Sequence, residues 1–249
     1  MSDATAVTAA LNFIHAINAR SEDTLAALMT DDHEFIDSGG ESWRGRAIMR
    51  KNWREYFRLF PDYTITLKRV RLHQSRVVLR GVSSGALSAY GQETLRRADG
   101  TLPADTDLQG PAIWTALAKG SKVAQWRVYG DTPEVRAALN LKVAATPIAI
   151  VDYDLAWPDH FAAEAARLQR AIGQQARQIE HIGSTSVPGL AAKPTIDIMV
   201  GVETLADADR CVPPVVALGY TYAPEHEGEM PYRRYFSRSG TPNWHIHMV

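Results

Sequence analysis

"EHIGSTSVPGLAAKPTIDIMV", residues 180–200, reads as strand, loop, strand. The segment "QIEHI" (178–182) is a short alternating run, "GSTSVPGLAAKP" (183–194) is dense in turn residues, and "TIDIMVGV" (195–202) is an apolar strand with Asp197 in its middle. A carboxylate inside an apolar strand needs a partner or a purpose. Gly183 and Ser184 can turn backbone N–H groups toward an anion, glycine lets a backbone approach a phosphate closely, and Lys193 adds a point charge. The same residues also describe a tight turn. Ser184 and Thr185 can bond backbone, and Pro188-Gly189 is a common turn pair. Both readings stay open on residue type alone.

The flanking sequence places this stretch on a sheet backed by a helix. "IAIVDY" (148–153) is strand-like, and Phe161, Ala165, Leu168 and Ile172 recur at helical spacing before Gly173 as C-cap. The terminal "WHIHMV" (244–249) alternates, so His245 and His247 share one face. Within "YRRYF" (232–236), read as a strand, only one of Arg233 and Arg234 can face a site. Cys211 is the lone cysteine and reads as a packing residue; with no partner in the chain, a reducing, cytoplasmic compartment is expected.

The first half has a different pattern. Residues 4–20 carry Val7, Leu11 and Ile14 on one stripe, capped by Ser2 or Asp3, and a second helix starts at Ser21 and runs to about Thr30. A third follows Gly45, spacing Ile48, Met49, Trp53, Tyr56, Phe57 and Phe60 before Pro61. From Tyr63 the pattern alternates through "RVVLRGV", "AIWTAL" and "VAQWRVY", which predicts antiparallel strands. Three helices on a curved antiparallel sheet make a cone with a small-molecule pocket at its mouth. Trp43, Trp53, Tyr56, Trp114 and Trp126 are candidates to line it, although most are expected to be buried structure. Two carboxylates are candidate bases, since an apolar pocket raises a carboxyl pKa. Asp37 reads equally as a turn residue before Gly39-Gly40, and Asp131 reads better as an N-cap for the helix at Pro133. His33 reads as a solvated loop residue. "NLKVAATP" (140–147) lacks periodicity and is read as the linker between domains at 1–139 and 148–249.

Composition excludes several classes. The chain has 249 residues, 45% hydrophobic and 22% charged, with a formal net charge of -1, so a nucleic-acid backbone is not an expected partner. No apolar run is long enough to span a membrane, and none is expected as a partner.

"LAALMTDDHEFIDSGGESWRGRAIMRKNWREYFRLFPDYTI" and "PAIWTALAKGSKVAQWRVYGDTPEV" resemble the SnoaL-like polyketide cyclases of the nuclear transport factor 2-like superfamily, over about residues 4–139. The resemblance implies a cone that holds a small apolar ligand. It places Asp37 where ketosteroid isomerase-like members keep a base, and Asp131 near where cyclase-like members keep theirs. His-Ile-Gly-Ser-Thr at 181–185, Val-Pro-Gly-Leu at 187–190 and Lys-Pro-x-Ile-Asp at 193–197 resemble the GrpB family, over about residues 148–249. That likeness implies a mixed-sheet nucleotidyltransferase fold binding a nucleotide or other phosphorylated small molecule with a divalent metal, magnesium or manganese. Gly183, Ser184, Thr185 and Lys193 would cradle phosphate, and Asp197 would hold the ion and carry catalysis. Thr195 stands where a companion carboxylate is expected, so a zinc-type site of Asp197, His245, His247 and His181 is the competing arrangement. GrpB members continue beyond this His-x-His strand, so a truncated domain is expected. The expectation is an α+β chain of two domains, with phosphoryl or nucleotidyl transfer, isomerase- or cyclase-like chemistry in the cone, or a non-catalytic homodimer as the functions to separate.

Overall fold

The computed structural model describes residues 2–103, 106, 108–141 and 149–249. The chain forms two compact units, one ending at Leu141 and the other at Val249. Of the expected linker, Asn140 and Leu141 are described, and 142–147 lie outside the described residues.

In the first unit, α1 (Asp3–Asn18) begins where Ser2 accepts a hydrogen bond from the Thr5 amide. It buries Val7, Ala10, Phe13, Ile14 and Ile17, the face its periodicity predicts. Ser21 caps α2 (Glu22–Leu28) in the same way. This helix stops two residues short of the expected Thr30, because Met29 opens a strand that the sequence reading left as helix end and loop. That strand, β1 (Met29–Ile36), pairs antiparallel with β2 (Ser42–Arg44) and parallel with a later strand. His33 is a correction. It is fully buried on β1, its Nδ1 donates to the Val123 carbonyl at 2.7 Å, and its ring stacks on Phe13. Burial pushes its pKa down and keeps it neutral.

The third helix, α3 (Arg46–Leu59), turns Met49 and Trp53 inward. After it come β3 (Thr64–His73), β4 (Arg76–Ser84), a short α4 (Ala89–Leu95), β5 (Gly110–Lys119), β6 (Lys122–Gly130) and α5 (Pro133–Ala138). Within this unit the strand order is β2-β1-β6-β5-β4-β3. The β1–β6 pair is parallel, and β4–β5 and β5–β6 are antiparallel as expected. At Gly81 the backbone of β4 passes so close to β3 that a Cβ would stand 2.1 Å from the Thr66 carbonyl oxygen.

Asp131 is a second correction. Thr132, not Asp131, caps α5. The Asp131 side chain is 1% exposed and lies between Arg80 Nε at 2.8 Å and Arg136 Nε at 2.5 Å. Burial alone would raise its pKa, but the hydrogen bonds from Arg136 and Arg80 outweigh that and lower it.

The second unit opens with an isolated bridge, Val151 to Ala192, in place of the expected strand. Then follow α6 (Trp157–Ile172), closed by Gly173, β7 (Gln178–Ile182), β8 (Thr195–Gly201), α7 (Leu205–Ala217), β9 (Thr221–Tyr222), β10 (Arg234–Arg238) and β11 (Asn243–Met248). The order β9-β10-β11-β8-β7 makes a mixed sheet: β8 and β11 are parallel, and the other pairs are antiparallel. Ile196, Ile198, Val200, Phe236, Ile246 and Met248 are buried on the face covered by α6 and α7, with Cys211 in α7 among them. Glu164 pins α6 in place, accepting from Tyr220 Oη at 3.0 Å and pairing with Arg238 at 2.9 Å. The alternate residues of the sheet form its second, half-exposed face.

Removing one partner of a buried ion pair leaves the others uncompensated, so Asp131→Ala should cost about 2–3 kcal/mol, reduced from the fully buried case because both arginines reach solvent. Because the folded pKa of Asp131 is depressed, its contribution is full above about pH 4 and is lost as pH falls through the folded value. Urea melts of wild type and Asp131→Ala at pH 7 and pH 3 should therefore converge at the lower pH.

Candidate functional site

Asp197 stands on the open face of β8, in register with His245 on β11 and Ile182 on β7. Its Oδ1 lies 3.1 Å from His245 Nδ1 and 3.7 Å from His247 Nε2. The first distance is a hydrogen bond and the second an electrostatic contact. Burial would push the carboxyl pKa up, but the two imidazoles prevail and bring it to about 2. Tyr235, the register partner of His247, packs its ring 5.5 Å from His245 and 5.4 Å from His247. Arg233 closes the group, with Nη1 3.1 Å from His247 Nδ1 and its guanidinium over the Tyr235 ring.

The sequence leaves Arg233 and Arg234 equivalent, and the structure separates them. Arg234 begins β10, points into the buried face and bonds Asp209 at 2.6 Å. Arg233 precedes the strand and joins the Asp197 group. Tyr235 was not singled out in the sequence, although its alternation with Phe236 carries the signal.

Gly183 has φ +75° and ψ −170°, a region open almost only to glycine. A Cβ there would lie 2.7 Å from Asp197 Oδ2. The close backbone approach expected to serve a phosphate is therefore made to the Asp197 carboxylate. Ser184 and Lys193 are exposed beyond it. Thr185 is not a ligand contact: it is fully buried, donates to the Thr195 carbonyl at 2.9 Å and lies 3.0 Å from His181 Nε2. His181 is in register with Ile198, on the face opposite Asp197, and stacks on Phe161 at 4.9 Å. Alternation along β7 thus removes His181 from the expected metal set. Among the described residues, no group of three or more His, Cys, Asp or Glu is arranged to hold a metal ion. His245 Nδ1 and His247 Nε2 both turn toward Asp197 Oδ1, while His247 Nδ1 faces the Arg233 guanidinium, so a cation held by these three groups would sit beside that charge, a poor fit for the metal expected from sequence.

The first unit holds a cavity of about 520 Å³. Trp43, Trp53, Tyr56, Trp114 and Trp126 all line it, and Trp53, Trp114 and Trp126 are also buried core, so both readings of these aromatics hold together. Tyr63 lines it beside Tyr56, their rings edge to face at 5.1 Å, and burial pushes the Tyr63 hydroxyl up to about 12 and that of Tyr56 higher. Both phenols remain proton donors at neutral pH. Asp37 is half-buried in the cavity wall and also holds its turn, its Oδ1 accepting from the Glu41 amide at 2.9 Å.

Comparison with known proteins agrees with this division. Residues 10–126 match the model of the SnoaL-like domain, and residues 147–249 match that of the GrpB protein. The chain carries a SnoaL-like domain followed by a GrpB domain. A UPF0157 protein of Halalkalibacterium halodurans is 47% identical over 81 residues, 32% of this chain and 42% of the relative. A dephospho-CoA kinase of Mycolicibacterium paratuberculosis is 42% identical over 165 residues, 65% of this chain and 39% of that protein. The chain spans less than half the length of these curated relatives. The solved structure of GrpB from Enterococcus faecalis is 35% identical, covering 41% of this chain and 61% of that one, with a TM-score of 0.37.

In the GrpB domain, Gly183→Ala should be costly through both φ and the clash with Asp197, about 2–3 kcal/mol. Thermal denaturation should show the loss, whereas Gly189→Ala, whose Cβ would meet open space at φ +78°, should show only the backbone part.

Proposed function

We propose that the SnoaL-like domain binds a small, flat, largely apolar molecule carrying a carbonyl group, with Asp37 as the proton acceptor for isomerase- or cyclase-like chemistry. The aromatic-lined cavity of about 520 Å³ carries this reading, because its size and lining suit a ligand whose surface is mostly removed from water. The Tyr56 and Tyr63 hydroxyls supply donors for a carbonyl oxygen, and Asp37 supplies a base within the same wall.

The test is tryptophan fluorescence against a panel of bicyclic aromatic ketones, since four tryptophans line the cavity. Saturable quenching is expected, and Ala112→Phe, which fills the cavity, should weaken it about tenfold or more. Deuterium exchange at carbons next to the carbonyl then reads the chemistry: Asp37→Asn should slow it by about 100-fold or more while changing affinity little. A panel with no saturable binder would remove the reading; binding without exchange would reduce it to a ligand-binding module.

A second reading concerns the GrpB domain, favoured by Arg233, His245 and His247 together on a half-exposed sheet face. It takes a nucleotide or other phosphorylated small molecule there, with Ser184 and Lys193 exposed on the adjoining loop. Kinship to a protein named dephospho-CoA kinase supports this ligand class. Titration with AMP and inorganic phosphate should stabilise the wild type, and Arg233→Gln should abolish the shift. No stabilisation by either would remove this second reading.

A further inference from the structure

We infer that Arg233, His247, Asp197 and His245 form a metal-free orienting relay in the GrpB domain, two hydrogen bonds joined by one electrostatic contact and fixed in one tautomeric pattern, with His245 Nε2 as its working nitrogen. The assignment follows from which groups can donate. A guanidinium has donors only, so His247 Nδ1, 3.1 Å from Arg233 Nη1, must accept. The His247 proton therefore sits on Nε2, the nitrogen facing Asp197 Oδ1 at 3.7 Å. An ionised carboxylate accepts only, so His245 Nδ1, 3.1 Å from the same oxygen, carries its proton. This leaves the lone pair of His245 on Nε2, and that atom has no partner among the described residues. The His245 side chain is 32% exposed, so solvent and ligands can reach it.

The same reasoning explains why these donors make no metal cage. One nitrogen of His247 bears a proton and the other is engaged by a cation, so a metal would have to displace Arg233 and sit beside its charge. Arg233 is itself placed by its guanidinium lying over Tyr235 and by its contact with His247. Asp197 and Arg233 are positioning residues. They orient His245 and His247 as a second carboxylate or carbonyl orients a ligating or basic histidine elsewhere. The chemistry open to His245 Nε2 is removal of a proton from a hydroxyl group or water, returned later in the cycle. The charge of Arg233 favours an anionic substrate; only this choice of substrate rests on the second reading above.

The test uses the full chain labelled with ¹⁵N-histidine and long-range ¹H–¹⁵N correlation at pH 7.5 in excess EDTA, with signals assigned from His245→Gln and His247→Gln. His247 should appear as the Nε2–H tautomer and His245 as Nδ1–H. Arg233→Gln should release His247 to a mixture of tautomers with its circular dichroism unchanged. Diethyl pyrocarbonate should acylate His245 about tenfold faster than His247, whose free lone pair is engaged by a charged donor. Zinc in excess should leave the His247 signals in place. An Nδ1–H tautomer for His247, equal acylation of both rings, or stoichiometric zinc binding lost in His247→Gln would each overturn the relay. Phosphate titration of the same sample separates the two ideas: unmoved His245 and His247 signals would remove the phosphorylated ligand and leave the relay standing.

Discussion

The half-buried charge of Asp197 sets the terms for the GrpB domain. A carboxylate on an inner strand of a sheet stays ionised only if its neighbours repay the loss of water. Here the repayment comes from two directions, an imidazole N–H across the β8–β11 ladder and a second imidazole one step along that strand, while the loop at Gly183 packs close to the other oxygen. Each in turn constrains something else. The loop must contain glycine at 183, and β11 must present histidines at alternate positions. Arg233 must meet the far nitrogen of His247. Of the residues that resemble a phosphate loop in sequence, Gly183 is thus fitted to a carboxylate.

Much of the fold was legible because burial follows period. The stripes of α1, α3 and α6 and the alternation of β8 map onto buried faces, whereas β4 and β5 are buried over runs of successive residues. β1 was not legible, since "MTDDHEFI" begins inside a helical run and carries Asp31, Asp32 and Glu34 on a strand of which only part is covered. His33 shows the cost of reading a residue by its neighbours in sequence: flanked by acids, it looks solvated, yet with Met29 it is one of the two buried residues of β1 and packs against Phe13. In α7, Pro213 and Pro214 stand inside the helix, so the residues that normally signal an end conceal an element. The bridge at Val151 was read as a strand because a short apolar run fits either state.

The two candidate sites differ in how far sequence can reach them. Asp197, His245 and His247 lie together in the structure because strand alternation places His245 and His247 on one face. His181 was joined wrongly because facing depends on register between β7 and β8, and register is set by the loop between them. Arg233 and Tyr235 were reached only when β10 was aligned with β11. The cavity of the SnoaL-like domain has no short signature at all. Its wall draws on β1, β2, α3, β3, β4, β5 and β6, so only the packed chain shows that scattered aromatics and Asp37 face one space.

This contrast bears on where chemistry resides in the chain. Asp37, in the wall of the aromatic-lined cavity, has no cation among its hydrogen-bond partners and keeps only a backbone donor. Asp197 is the opposite case, an aspartate whose neighbours stabilise its charge until it is a poor base. A carboxylate so strongly stabilised serves as an orienting group, and the proton traffic passes to the imidazole it orients. Under the function proposed above, the two domains use the same side chain in two roles, base in one and anchor in the other. The difference follows from what surrounds each carboxylate: a backbone amide and aromatic rings around Asp37, imidazoles around Asp197 with a guanidinium behind.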